Sequence, residues 1–432
     1  MVRLILARAC LAALALPLPA AELAVAPGEL AAVLARAAAG DTLRLEPGIH
    51  PGPVRVDLPV RLQGSPGAIL EGPGAGTVLT LTADGIAVSG LTVRGSGADL
   101  ARDEAVILVA EARDVTVEGC RVEARAFGIY LEAGGGHHIL GNEVVGDTAL
   151  EMARRGNGIH LWNTEHNEIR GNRLVDVRDG VYLSFAHDNV IHANQGTGLR
   201  YGIHYMYSER NVLTENRFAE GTGGIALMFS MENRIEDNET VDNREFGVLC
   251  QQIERSRLQG NRASGNGRGF YVENSAVNRF AGNRVEGNGV GVFLTAGSEQ
   301  NVFTGNRFSG NLVQVFEDRA GANAFFDEGR GNLWSDYAGF DWNGDGVGET
   351  PYRLNTAAAT LMARRPVARW FWMSPVLALL DWWDSRLATP AVDAFDPFPL
   401  VGDAAVVEPG VVEPGVVEPG VLEPGAMEDG LR

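Results

Sequence analysis

Gly202-Ile203-His204-Tyr205 is one copy of a phrase, glycine–apolar–any–apolar, that recurs along the chain at a nearly constant step. Before it stand Gly128-Ile129-Tyr130-Leu131, Gly158-Ile159-His160-Leu161 and Gly180-Val181-Tyr182-Leu183. After it come Gly224-Ile225-Ala226-Leu227, Gly247-Val248-Leu249-Cys250, Gly269-Phe270-Tyr271-Val272 and Gly291-Val292-Phe293-Leu294. The first step is 30 residues and every later one is 22 or 23. A second marker keeps the same beat: Asn142, Asn172, Asn194, Asn216, Asn238, Asn261, Asn283 and Asn306. Two markers registered in one period describe a solenoid whose repeating unit is a single coil.

The unit is built of strands. Apolar residues alternate at period two, as in Val115/Val117 and Ile159/Leu161, and no helical stripe runs through the repeat. Asparagine and glycine at the corners tolerate left-handed backbone angles. The expected fold is therefore all-β, a right-handed parallel β-helix, in which equivalent residues of successive coils stack about 4.8 Å apart. Residues 27–39 read as a short amphipathic helix capping the open N-terminal end, where strand edges would otherwise be exposed. The β-helix is expected over 21–335, with eight extra residues near 147–155 bulging from the coil that carries His160.

Residues 1–20 read as a signal peptide, with Arg3 and Arg8 before an apolar run and a small residue at its end, so the protein is expected to be exported. Loss of two arginines takes the net charge from −19 to −21, which argues against nucleic-acid binding. The chain has no lysine, excluding Schiff-base and phosphate-loop chemistry that depends on one. Cys120 falls in the corner-asparagine column and Cys250 points inward several coils away, so both are expected as free thiols.

The beat stops after Asn332. Residues 336–363 form an Asp/Asn/Gly-rich segment in which Asp341, Asn343 and Asp345, followed by Gly346, match the first half of a calcium loop. Tyr352 stands where that loop needs a bidentate glutamate, and an ordinary turn accounts for the same residues. Residues 364–400 form a C-terminal helical arm dense in aromatic residues. Trp370, Phe371, Trp372, Leu380, Trp382 and Trp383 are its candidate partner-binding residues, while Arg369 and Asp381 argue against a membrane span. Residues 401–432 are Glu-Pro-Gly repeats with the composition of a disordered tail.

Alternation points the third and fifth residues of each phrase outward. His204 and Met206 then share the outer face of one strand, Met228 stacks over Met206 in the next coil, and Met231 follows shortly after. One histidine with two or three thioethers is a soft donor set, suited to Cu(I) and unsuited to magnesium or calcium. The same methionines also fit an apolar packing patch. His160 lies two coils from His204, as a further ligand or as a plain surface histidine. Histidines 137, 138, 187 and 192 read as solvated corner residues. A rival reading takes outward Tyr130, Trp162, Tyr182, Tyr201, Tyr207 and Tyr271 as sugar-stacking residues of a secreted polysaccharide-binding or polysaccharide-cleaving β-helix. Cleavage needs a carboxylate pair or a carboxylate with a base in one cleft; Glu132 and Glu273 are about six coils apart, so no enzymatic activity is expected.

The chain resembles the NosD family in the phrases Arg155-Gly-Asn-Gly-Ile-His160-Leu-Trp162-Asn, Arg200-Tyr-Gly-Ile-His204-Tyr-Met206-Tyr-Ser, Ala226-Leu-Met228-Phe-Ser and Gly331-Asn-Leu-Trp334-Ser-Asp-Tyr337. The resemblance covers about residues 22–400; the Glu-Pro-Gly tail lies outside it. It implies a periplasmic, non-enzymatic, copper-handling subunit working with the ABC permease NosY and the ATPase NosF. That subunit would receive copper from the lipoprotein NosL and help load the apo form of nitrous oxide reductase, NosZ. Membrane association would then come only through the permease.

Overall fold

The computed structural model describes residues 20–402 except 296, 355, 372–373 and 385–394. Trp372 and nearly all of the leader and the Glu-Pro-Gly tail therefore lie outside the described residues.

Inward residues alternate as the repeat requires. Ile129, Ile159, Val181, Ile203 and Ile225 stack in one buried column, and Leu131, Leu161, Leu183, Tyr205 and Leu227 stack in the next. Among the described residues three long parallel sheets result, of 13, 12 and 13 strands, each strand pairing with its equivalents in neighbouring coils. We call them sheets I, II and III; sheet II runs from Val54–Val56 to Val313–Asp318 and carries the glycine phrases. The fold is the expected parallel β-helix.

The glycine column has a steric cause. A Cβ on Gly180 would sit 2.4 Å from the carbonyl oxygen of Gly202, and one on Gly202 would sit 2.6 Å from that of Gly224. Only a bare backbone lets successive coils approach that closely. The corner asparagines form ladders inside the solenoid. The Asn194 N–H donates to Asn216 Oδ1 at 2.9 Å, while its side-chain amide donates to Asn216 Oδ1 at 3.0 Å and to the Ile169 carbonyl at 2.8 Å. Each asparagine thus satisfies backbone groups that the corner leaves without strand partners.

Helices stand at both ends as expected, with different boundaries. The N-terminal helix is only Leu30–Leu34, and the strand Glu22–Val25 precedes it and pairs with Thr42–Leu45. The helix is therefore an insertion within the first coil, with Leu30 and Val33 buried, because the strand ahead of it already forms the sheet edge. At the other end the arm packs onto the solenoid. Helices Ala357–Arg364 and Pro375–Asp384 lie against the last strand of sheet II, where Met362 and Leu377 pack with Val290, Val313 and Phe316. Ser374 Oγ caps the second helix by accepting from Leu377 N at 3.4 Å.

Beyond the arm the chain returns. Phe395–Asp396 pairs antiparallel with Tyr352–Arg353, and buried Asp396 closes the asparagine ladder. Its Oδ2 accepts from Asn332 N at 2.7 Å and from Trp334 Nε1 at 2.9 Å. The last coil of the β-helix is thus completed by residues that the sequence assigns to the arm. Among the described residues no helix is long and apolar enough to cross a membrane.

Candidate metal centre

Sheet II places His204, Met206 and Met228 as alternation requires. His204 and Met206 lie on the strand Tyr201–Met206, and Met228 on Gly223–Met231 of the next coil. His204 pairs with Ala226, and Tyr207 N donates to the Met228 carbonyl at 3.3 Å, so Met206 and Met228 are one coil apart in register. Both methionines are half-buried. Met228 packs against the buried cluster of Ala226, Phe246 and Leu249, as do Tyr201 and Tyr271.

One residue beside His204, Asp179, escapes a reading by strict alternation. Pairing in sheet II steps from Asp179↔Tyr201 to Val181↔Ile203, and the residue before each phrase glycine joins the outer face. Asp179, fully buried, consequently lies with its Oδ2 3.0 Å from His204 Nδ1. Arg200 grips the same carboxylate, with Nε 2.8 Å from Oδ1 and Nη2 against Oδ2. Burial opposes ionisation of Asp179, but the hydrogen bonds from His204 and Arg200 outweigh it and hold its carboxyl below the usual range.

This pairing fixes the imidazole. A carboxylate oxygen only accepts, so Nδ1 carries the proton and the Nε2 lone pair is left open. The Arg200 Nη2 atom, 3.2 Å from Nδ1, is near because both groups hold one oxygen. His204 is 8% exposed and its Nε2 has no hydrogen-bond partner. A buried nitrogen with a free lone pair, braced from behind by a carboxylate, is the arrangement of a metal-ligating histidine.

The other candidates are placed differently. His160 sits in a column of rings, 4.6 Å from Tyr130 and 4.7 Å from Tyr182, and Tyr182 separates it from His204. Burial and the charge of Arg178 push its pKa down to about 3. Its Nδ1 lies 3.3 Å from the Asn157 amide. Met231 follows the corner at Phe229, and its sulfur accepts from Arg255 Nη2 at 2.9 Å. His137 is not solvated: it is buried in a corner column, where its Nδ1 accepts from Val115 N at 3.3 Å and its N–H donates to Asn167.

The loop at Asp341 closes on itself. Asp341 accepts from Gly344 N and Gly346 N, Asn343 from Asp345 N, and Asp345 from Val347 N. These oxygens are occupied by backbone donors of an Asx-type turn, and the calcium expectation finds no support. Among the described residues no three His, Cys, Asp or Glu side chains group to hold a metal ion. A cleft of about 340 Å³ lies elsewhere, on sheet III, where Arg94 pairs with Glu71 at 2.8 Å and Arg125 with Asp147 at 3.3 Å.

In the arm, Trp370 is 85% exposed, and Phe371, Leu380, Trp382 and Trp383 are exposed as well. Val376, Leu380 and Trp383 form the outward face of a helix whose inward contact is Leu377.

A family model described as "Periplasmic copper-binding protein (NosD)" matches residues 140–339. A "Probable ABC transporter binding protein NosD" of Pseudomonas aeruginosa is 40% identical over 353 residues, covering 78% of this chain and 82% of the relative. A protein of the same name from Stutzerimonas stutzeri is 36% identical over 355 residues, covering 78% and 81%. Among solved structures, a family 28 exopolygalacturonase of Yersinia enterocolitica aligns with a TM-score of 0.53 at 10% identity, over 70% of this chain and 78% of that one. At that identity the likeness concerns the fold alone.

Proposed function

The chain belongs to the NosD family, and we propose that it is a periplasmic subunit that binds Cu(I) and passes it on during maturation of nitrous oxide reductase. The observation that carries this reading is the buried Nε2 of His204, left without a partner and aimed by Asp179, on the face that also bears Met206 and Met228. One nitrogen and two thioethers match a soft monovalent cation. Copper is cargo here: a half-buried site with few ligands lets a partner add ligands while the first ones leave. The partners in this reading are the donor NosL, the client NosZ, and the transporter formed by NosY and NosF. The exposed tryptophans of the arm are the proposed contact with the permease.

The cluster does not favour polysaccharide chemistry. Asp179 supplies a carboxylate beside a base, but it is fully buried and held by Arg200 and His204, so it cannot reach a sugar. We propose no hydrolase or lyase activity; new reducing ends or unsaturated products from acidic or neutral polysaccharides would contradict this.

Competition titration with a Cu(I) chelator under reducing conditions tests the site. One Cu(I) per chain is expected in the wild type, with a large loss of affinity in Met206→Ala/Met228→Ala. Equal affinity would return the methionines to a packing role. For the arm, Trp370→Ser/Trp383→Ser should abolish co-purification with the transporter. A deletion from residue 364 is a poorer probe, because it also removes Asp396 from the last coil.

A further inference from the structure

Three aromatic residues stand at one corner of three successive coils: Phe185, Tyr207 and Phe229, spaced 22 residues apart. Phe185 and Tyr207 directly follow their strands of sheet II and Phe229 lies near the end of the strand Gly223–Met231; all three have a left-handed backbone, with φ of 50°, 53° and 52°. The same corner of other coils holds Ala133, Asn163, Gln252, Asn274 and Gly297, also at positive φ. Asparagine and glycine suit this conformation, whereas a bulky ring is ill-suited to it. Three rings in consecutive coils therefore stand where the backbone alone would select against them. Backbone strain of this kind concentrates at functional surfaces.

The rings form an exposed ridge. Phe185 and Tyr207 stack at 5.3 Å and 13°, and Tyr207 and Phe229 at 5.0 Å and 23°. Phe185 is 49% and Tyr207 44% exposed. On one side the ridge adjoins the outer column of sheet II that contains Trp162, Met206 and Met228. On the other side lies a charged border in which Arg210 pairs with Asp188 and Glu209, and Arg255 with Glu232 and Glu254. Four acids against two arginines leave that border acidic.

We infer that Phe185, Tyr207 and Phe229 form a docking ridge for a folded protein that exchanges the soft metal with this chain, and that the partner's contact face has an apolar centre and a basic border. An apolar centre ringed by charge is the anatomy of a protein–protein contact. A sugar would need a free ring face, but Tyr207 has both faces covered by its neighbours and offers only its edge. Because the ridge borders Met206 and Met228, a protein seated on it brings its own ligands to the same place. This inference rests on the copper-handover reading of sheet II.

The test replaces all three rings with asparagine, the residue already present in this column at Asn163 and Asn274. Phe185→Asn/Tyr207→Asn/Phe229→Asn should keep the wild-type melting temperature and the wild-type Cu(I) affinity against a small chelator. Binding of the purified, metal-free donor or client protein should weaken at least about tenfold, and Cu(I) exchange with it should slow. Unchanged binding of both proteins overturns the inference. A melting temperature lowered by several degrees would make the ridge a structural element instead. Loss of oligosaccharide binding with protein binding retained would make it a carbohydrate platform. If the wild type binds no Cu(I), the copper reading fails separately, while the metal-free binding comparison still decides the ridge.

Discussion

Nδ1 of His204 lies 3.0 Å from Oδ2 of Asp179, a residue 25 positions earlier in the chain and one coil away in space. That contact turns an ordinary outward histidine into an oriented one. It assigns the ring proton to Nδ1 and leaves the buried Nε2 without a hydrogen-bond partner.

Asp179→Asn tests the orientation. The amide keeps the shape but removes the charge, and its NH₂ group can donate to Nδ1, favouring the wrong tautomer. Cu(I) affinity should fall roughly 10- to 100-fold, the range usual for loss of such a supporting group. Thermal unfolding of the same variant should show a folded protein that is modestly destabilised, because Arg200 loses its charge partner.

Tyr205→Phe should be neutral or stabilising by about 1 kcal/mol, since the Tyr205 hydroxyl is fully buried without a hydrogen-bond partner. Chemical denaturation compares the two proteins. A loss of stability of similar size would reveal a partner for the hydroxyl, such as a buried water.

His137 makes stability depend on pH. Burial pushes its pKa down to about 4 from 6.5, so the folded state binds a proton less readily than the unfolded chain. Its contribution is fully present above pH about 6.5 and is lost as pH falls toward 4, amounting to about 3 kcal/mol. His137→Asn places the column's usual residue there and should flatten that part of the pH–stability curve. The remaining acid sensitivity should include His160, which is depressed to about 3.

Asn216→Ala should destabilise by roughly 2–5 kcal/mol, because it strips partners from Asn194 N and the Ile191 carbonyl inside the solenoid. Equilibrium unfolding of the variant measures this. A cost below 1 kcal/mol would mean that water replaces the ladder.

Much of this was legible in the residues because a β-helix converts sequence period into spatial stacking. Ile203 and Ile225 pointing inward, and His204, Met206 and Met228 pointing outward, followed from alternation alone. Asp179 did not, because the pairing skips at the phrase glycine and brings the preceding residue to the outer face. Position 179, an acid directly before that glycine, was the available signal. Phe185 and Phe229 were missed because a corner residue has no place in a two-residue period. The role of Asp396 was hidden by distance: it meets Asn332 across 64 positions, and no repeat marks it.

X-ray absorption at the copper edge, on protein loaded with one equivalent of Cu(I), addresses the central claim most directly. One nitrogen and at least two sulfur scatterers are expected around the metal, with sulfur lost in Met206→Ala/Met228→Ala and nitrogen lost in His204→Ala. A coordination shell of nitrogen and oxygen only, unchanged by these substitutions, would contradict it.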